Sequence, residues 1–268
     1  MSIHPTAIID PKADIDASVE IGPFSIVDAN VRIAAHSRLF QNVYVTGWTE
    51  IGESCEVHPG AIVGHVPGDI KYKGARTYCR IGRDTILREY VTVHRGTEPD
   101  SATTIGERCF LLAGCHVGHN CTIGNDVTII NDALLAGHVS IGDRTTIGGD
   151  VGLHQFVRVG TLAMLAGNAN VVMDVLPFAL TDLQGKVAGL NRVGLRRAGI
   201  SREEVIEIRE AYRTLFASRL PFRQAVESVI PNMQTPAGQT LAAFLQAPTR
   251  RGIAGRPRKK KSDESDLA

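Results

Sequence analysis

The feature that most constrains this chain is a beat of six. From Ile105 to Val171 an aliphatic residue falls on every sixth position: Ile105, Leu111, Val117, Ile123, Ile129, Leu135, Ile141, Ile147, Leu153, Val159, Leu165 and Val171. The same register runs from Ile3 to Val63 and returns at Ile81, Leu87 and Val93. Six is neither the face of a 3.6-residue helix nor a simple strand alternation, so the pattern describes short strands separated by corners on a fixed cycle. Three hexads close one triangular coil of about 18 residues, and successive coils stack at the roughly 4.8 Å spacing of paired strands. The sixth-position aliphatics then fill the inside of a prism, which makes the chain a parallel β-helix with a one-dimensional core.

The neighbouring positions agree. Two residues before each aliphatic stands a small or β-branched residue, such as Ala61, Thr85, Val127 or Ala163, which suits a second inward slot beside a corner. All five cysteines, Cys55, Cys79, Cys109, Cys115 and Cys121, occupy that slot, so they read as small core fillers rather than disulfide or zinc ligands. The residue after the aliphatic is often glycine (Gly22, Gly52, Gly106, Gly118, Gly160), where a corner is expected to need an unusual backbone angle.

The formal net charge is +1 with 21% charged residues, so nothing global points to nucleic acid or a membrane surface. No 18-residue apolar run and no basic-then-apolar leader occur, and a cytoplasmic location without a membrane span is the expectation.

Two stretches break the beat. Residues 66–80, rich in Gly and Pro and carrying Asp69, Lys71 and Lys73, and residues 94–104 are predicted to leave the prism as external loops, where ligand contacts concentrate. The beat ends after Val171, and the prism with its connector is assigned to residues 1–190. Ser201 with Glu204 forms a capping box before a helical run, and Pro221 and Pro236 open two further short helices, giving a helical domain over 191–249. Residues 250–268, basic and then acidic with little apolar content, read as a disordered tail.

Counting by eighteens places residues around the prism. Gly137 lies one coil above His119 with His138 beside it, while Gln155 lies two coils up with His154 beside it. His116 precedes His119 by three residues, so four of nine histidines converge on one stripe. Imidazole titrates near neutral pH and suits proton abstraction from a hydroxyl or amine during group transfer. The same stripe also suits zinc, as in a β-helix hydratase of carbonic anhydrase type.

Five segments in order, GDIKY at 68–72, HRGT at 94–97, LLAGHVSIGD at 134–143, IGG at 147–149 and VGLHQFVRVG at 151–160, resemble the acyl-ACP:UDP-N-acetylglucosamine O-acyltransferases of lipid A biosynthesis. The resemblance implies a left-handed β-helix with a small helical C-terminal domain, assembled as a homotrimer with active sites between prisms. It implies transfer of an (R)-3-hydroxyacyl chain from acyl carrier protein to the 3-position of UDP-N-acetylglucosamine, with no cofactor and no metal. It implies His119 as general base and the Gly137 N–H as oxyanion donor. Asp69, Lys71, His116, His138, His154, Gln155, Asn191 and Arg197 are implied as substrate-binding residues, and Gly167 as the residue that measures acyl length. A 3-amino sugar suits the same base. Arg202, Arg209, Arg213, Arg219 and Arg223 offer a docking face for the acidic carrier protein. The chain departs from the family pattern at Asn120, where many members carry Asp, and at Ala198, where a cation is expected.

Overall fold

The structure, a computed structural model, describes residues 2–255; Met1 and residues 256–268, which hold most of the expected tail, lie outside the described residues. The strands, mostly two residues long, stack into three sheets of 11, 9 and 8 strands among the described residues. These are the walls of the prism. The first wall begins at Ser2–Ile3, the second at Ile8–Ile9 and the third at Asp14–Ile15, so each hexad passes the chain to the next wall. Pairing is parallel throughout the walls except for the last pair of the first, and nearly all of it is in register, as in His116↔Leu134 and Val117↔Leu135. The beat residues from Ile21 to Val171 are buried at 4% exposure or less, each contributing about 1.5–3 kcal/mol of burial.

The second inward slot has a polar function. Ser25, Ser37, Thr85 and Thr145 donate their hydroxyls to corner carbonyls of Phe40, Gly52, Gly106 and Gly160. Cys55, Cys109, Cys115 and Cys121 place their thiols against the equivalent carbonyls of Gly82, Gly124, Ile130 and Ala136 at 3.1–3.3 Å. A cysteine here is a serine equivalent. Burial pushes the Cys79 and Cys121 thiols up to about 12, far from the thiolate a nucleophile or metal ligand needs.

The glycine expectation is corrected. The left-handed backbone angle belongs to the second corner residue, occupied by Asn42, Asp126, Asn168 and even Phe156 and Leu162. Gly106, Gly118 and Gly160 sit two positions earlier, where a Cβ would come within 2.3–2.7 Å of the next coil's backbone. They are glycines because the coils are stacked closely, not because the chain turns there.

Both loops leave at one edge. Val63 to Ile81 spans eighteen positions and Val93 to Ile105 twelve, where six would carry the chain from the second wall to the third. The first excursion ends at residue 77, since Tyr78–Ile81 is already a strand paired with Trp48–Ile51; the second gives way to the strand Ala102–Ile105.

At the other end, Ala179–Thr181 extends the first wall and Val187–Leu190 closes it by antiparallel pairing. Four α-helices follow among the described residues: α1 (Arg192–Arg197), α2 (Arg202–Ala217), α3 (Phe222–Val229) and α4 (Pro236–Gln246). The Ser201/Glu204 capping box starts α2, whose buried face carries Ile208, Ala211, Tyr212 and Leu215. The Tyr212 hydroxyl donates to the Pro177 carbonyl, tying α2 to the last coil. Residues 250–255, assigned above to the tail, instead return to that coil. Asp174, fully buried and paired with Arg158 at 2.8 Å, exchanges backbone hydrogen bonds with Gly252 and Ala254. An open sheet end with a buried carboxylate needs such partners.

Candidate active site

The edge between the second and third walls gathers the candidate residues. Its successive corners are His119–Asn120, Gly137–His138 and Gln155–Phe156, and the loops 66–77 and 94–101 emerge from the same edge. Insertions at one edge of a rigid stack can reach only their own neighbourhood, so both loops meet the histidine stripe.

His119 is buried at 6% exposure and its ring lies against Gly137, where a Cβ would stand 2.4 Å from His119 Nε2. Its Nδ1 is 2.8 Å from Asn120 Oδ1. That oxygen also accepts from the Thr97 backbone N–H at 3.0 Å, while Asn120 Nδ2 donates to Glu98 Oε2 at 2.9 Å. The backbone amide can only donate and the carboxylate can only accept, so the Asn120 amide has one orientation. In the neutral ring His119 Nδ1 must then carry the hydrogen, which leaves the lone pair on Nε2. Facing that lone pair, Asp69 Oδ2 lies 3.7 Å away, too far for a direct hydrogen bond. The Gly137 N–H donates to no acceptor among the described residues.

Around this pair burial disfavours the charged form of three further imidazoles. His138 meets His119 edge-on at 5.1 Å between centroids and stacks on Phe156 at 4.7 Å, with Glu98 Oε1 3.9 Å from its Nε2. Burial, then the neighbouring His119, push His138 below its ordinary value. His116 is bonded through Nδ1 to Thr92 Oγ1 at 2.7 Å and is lowered by burial. His94, which the sequence reading did not single out, lies edge-on to His116 at 4.7 Å and accepts from the Gly68 N–H. Burial first, then His116, push it down to about 4. Among the described residues no three His, Cys, Asp or Glu side chains of one chain group so as to hold a metal ion.

Asp69 reaches the site because its loop is stapled down. Arg95, buried at 8% exposure, donates to the Gly64 carbonyl at 2.9 Å and to the Tyr72 hydroxyl at 2.8 Å. Asp69 Oδ1 accepts from the Lys71 N–H, leaving the Lys71 side chain exposed beside it.

From this edge a groove of about 360 Å³ runs over the second wall, lined by His116, Leu134, Ala136, Gly152 and His154. Nothing stands within 4 Å of a Cβ built on Gly152, which keeps the groove open. Gly167 lies at the opposite edge of the same wall, in the corner stacked on Gly149. His154 and Gln155 are exposed two coils above His119.

Asn191 and Arg197 are not brought to this site within one chain. Asn191 caps α1, accepting from Gly194 N and donating to the Leu162 carbonyl, at the edge between the third and first walls. Arg197 is exposed in the last turn of the same helix.

Comparison with known proteins agrees with this geometry. Residues 174–254 match the model of domain 2 of UDP-N-acetylglucosamine O-acyltransferase, and residues 102–137 the bacterial transferase hexapeptide repeat. An acyl-[acyl-carrier-protein]–UDP-N-acetylglucosamine O-acyltransferase of Thermodesulfovibrio yellowstonii is 44% identical over 254 residues, covering 94% of this chain and 98% of its own. One from Synechocystis is 42% identical over 246 residues, covering 91% and 89%. The crystal structure of the Francisella novicida UDP-N-acetylglucosamine acyltransferase superposes with a TM-score of 0.92 at 31% identity, covering 99% and 100%. The coil is left-handed, as in these solved relatives. At that level of identity over nearly the whole length, the chain belongs to the acyl-carrier-protein-dependent UDP-N-acetylglucosamine O-acyltransferases.

Proposed function

We propose that this protein moves an (R)-3-hydroxyacyl chain from acyl carrier protein to the 3-position of UDP-N-acetylglucosamine, the first step of lipid A biosynthesis, in the cytoplasm and without a cofactor or metal. The observation that carries the reading is the setting of the His119 ring, whose Nδ1 lies 2.8 Å from Asn120 Oδ1 and whose Nε2 faces Asp69 Oδ2 across 3.7 Å.

The sugar 3-hydroxyl donates to Nε2 from the open side, beside Asp69 rather than between the two. His119 takes its proton as the oxygen attacks the thioester carbonyl. The Gly137 N–H then donates to the developing oxyanion, an interaction worth about 3 kcal/mol when preorganised. As the tetrahedral adduct collapses, the carrier's thiolate leaves and takes the proton back from His119. Neutral His116, His138 and His94 surround the sugar without adding cations that would disfavour the protonated base. Asp69 and Lys71 hold the nucleotide sugar, and the acyl chain lies in the second-wall groove alongside His154 and Gln155 toward Gly167.

Arg197 and Asn191 reach the diphosphate end of the substrate from a neighbouring copy in a homotrimer. The second wall supports that assembly. Its outward residues include Ile8, Ile26, Tyr44, Ile62 and Leu134, with Ile8 and Leu134 exposed at 65% and 55%. The other walls instead carry ion pairs such as Arg32–Asp14 and Arg38–Glu20. Arg209 and Arg213 on α2, flanking an apolar cavity of about 400 Å³ with Arg192, provide the carrier's docking face. Among the described residues no helix is long and apolar enough to cross a membrane.

The test is an initial-rate assay with UDP-N-acetylglucosamine, its 3-amino analogue and a panel of hydroxyacyl carrier proteins. Wild type is expected to form the 3-O-acyl sugar, and His119→Ala to lose at least 10²-fold in kcat. Absence of acylated sugar with every donor would overturn the reading; transfer to the amino sugar alone would correct the acceptor.

A further inference from the structure

Resting on the proposed reading, we infer that Glu98 is a positioning residue for His119, acting through the Asn120 amide. Three observations carry this. Asn120 is uncharged, so the residue holding His119 Nδ1 supplies no carboxylate of its own to stabilise an imidazolium. Glu98 Oε2 accepts from Asn120 Nδ2 at 2.9 Å, which turns Asn120 Oδ1 toward the imidazole and away from the alternative flipped orientation. The other oxygen of the same carboxylate, Oε1, stands 3.9 Å from His138 Nε2, so Glu98 spans the two corners of the stripe.

The chemistry follows from dipoles. A carboxylate accepting from one end of an amide polarises the acceptor at the other end, and strengthens the hydrogen bond that acceptor makes. The chain Glu98–Asn120–His119 thus relays part of a negative charge to Nδ1 when Nε2 takes the substrate's proton. Second-layer carboxylates that orient histidines act in this manner in metal and acyl-transfer sites. Glu98 is set on the six-residue insertion between Val93 and Ile105, beside Thr97, whose backbone N–H fixes the same Asn120 oxygen. One turn of loop therefore supplies both restraints on the amide.

A reciprocal exchange tests it. Glu98→Gln removes the charge, and its amide no longer compels the orientation of Asn120. Asn120→Asp alone sets two carboxylates side by side, which repel and disfavour one ionised form. Asn120→Asp with Glu98→Gln places the carboxylate directly on His119, and the side-chain amide introduced by the second substitution can donate to it. Each single variant is expected to lower kcat about tenfold with KM for the sugar nucleotide within about twofold, and the double variant to return to within about threefold of wild type. Glu98 is exposed, so thermal unfolding of Glu98→Gln should match wild type. Unchanged kcat in Glu98→Gln, or losses that multiply in the double variant rather than cancel, would overturn the inference. Wild-type activity with an inactive His119→Ala control in the same assay separates that failure from failure of the proposed function.

Discussion

His119 and Gly137 show how a single atom's absence makes a site. The imidazole lies where the Cβ of any other residue at 137 would be, 2.4 Å from Nε2 and 2.5 Å from Cε1. Gly137→Ala should therefore displace the ring and block the oxyanion position, lowering kcat at least 10²-fold. Because the strain is relieved by rotating one side chain at a corner, the unfolding temperature should fall by no more than a few degrees. Circular dichroism melts beside initial rates check both. Sequence counting put His119, Gly137 and His138 on one edge, since 18-residue spacing converts directly into stacking. It did not show that Asn120 holds the His119 tautomer, because that depends on where Thr97 and Glu98 come to rest. Nor did it separate the two uses of corner positions. Glycine directly after a beat residue marks close stacking, while the left-handed angle two positions on is taken by Asn, Asp, His and Phe, and by Gly60 and Gly114.

At the scale of elements, the two loops were legible as interruptions but not as partners of the histidines. The signal was present. Both insertions are whole hexads, so the beat resumes in register and both leave at the corner that later carries His119. What the sequence does not encode is the path of the loop once outside, which is set by Arg95 bonding the Gly64 carbonyl and the Tyr72 hydroxyl. Arg95→Ala should free the 66–77 loop and withdraw Asp69 from His119. The expected result is a roughly tenfold rise in KM for the sugar nucleotide and new proteolytic cleavage within 66–77, with the prism intact. Cleavage and KM like wild type would show that the loop holds without its staple. Three of the helices were readable from Ser201, Pro221 and Pro236, whereas α1, capped by Asn191, was not. The return of residues 250–255 to Asp174 was not, because a short segment gives no periodic sign of the two backbone hydrogen bonds it makes there.

For the whole molecule, a period of six dictates a prism but not its hand, since stacking and burial are the same in either sense of winding. Assembly is likewise absent from the beat, whose inward residues say nothing about the outer faces. The outward residues do: the second wall presents Ile8, Ile26, Tyr44, Ile62 and Leu134, with His119 at one of its edges. Asn191 and Arg197 lie at the edge this wall does not share, so one chain alone never presents both ends of the proposed site. The most direct measurement is complementation between two inactive variants, His119→Ala and Arg197→Ala, co-expressed and assayed at low sugar-nucleotide concentration. If each site takes its base from one copy and its diphosphate contact from the next, random mixed trimers should recover about a quarter of the wild-type rate, because one site in four receives both intact residues. A mixture no more active than its two parents would contradict the shared site and the trimer it requires.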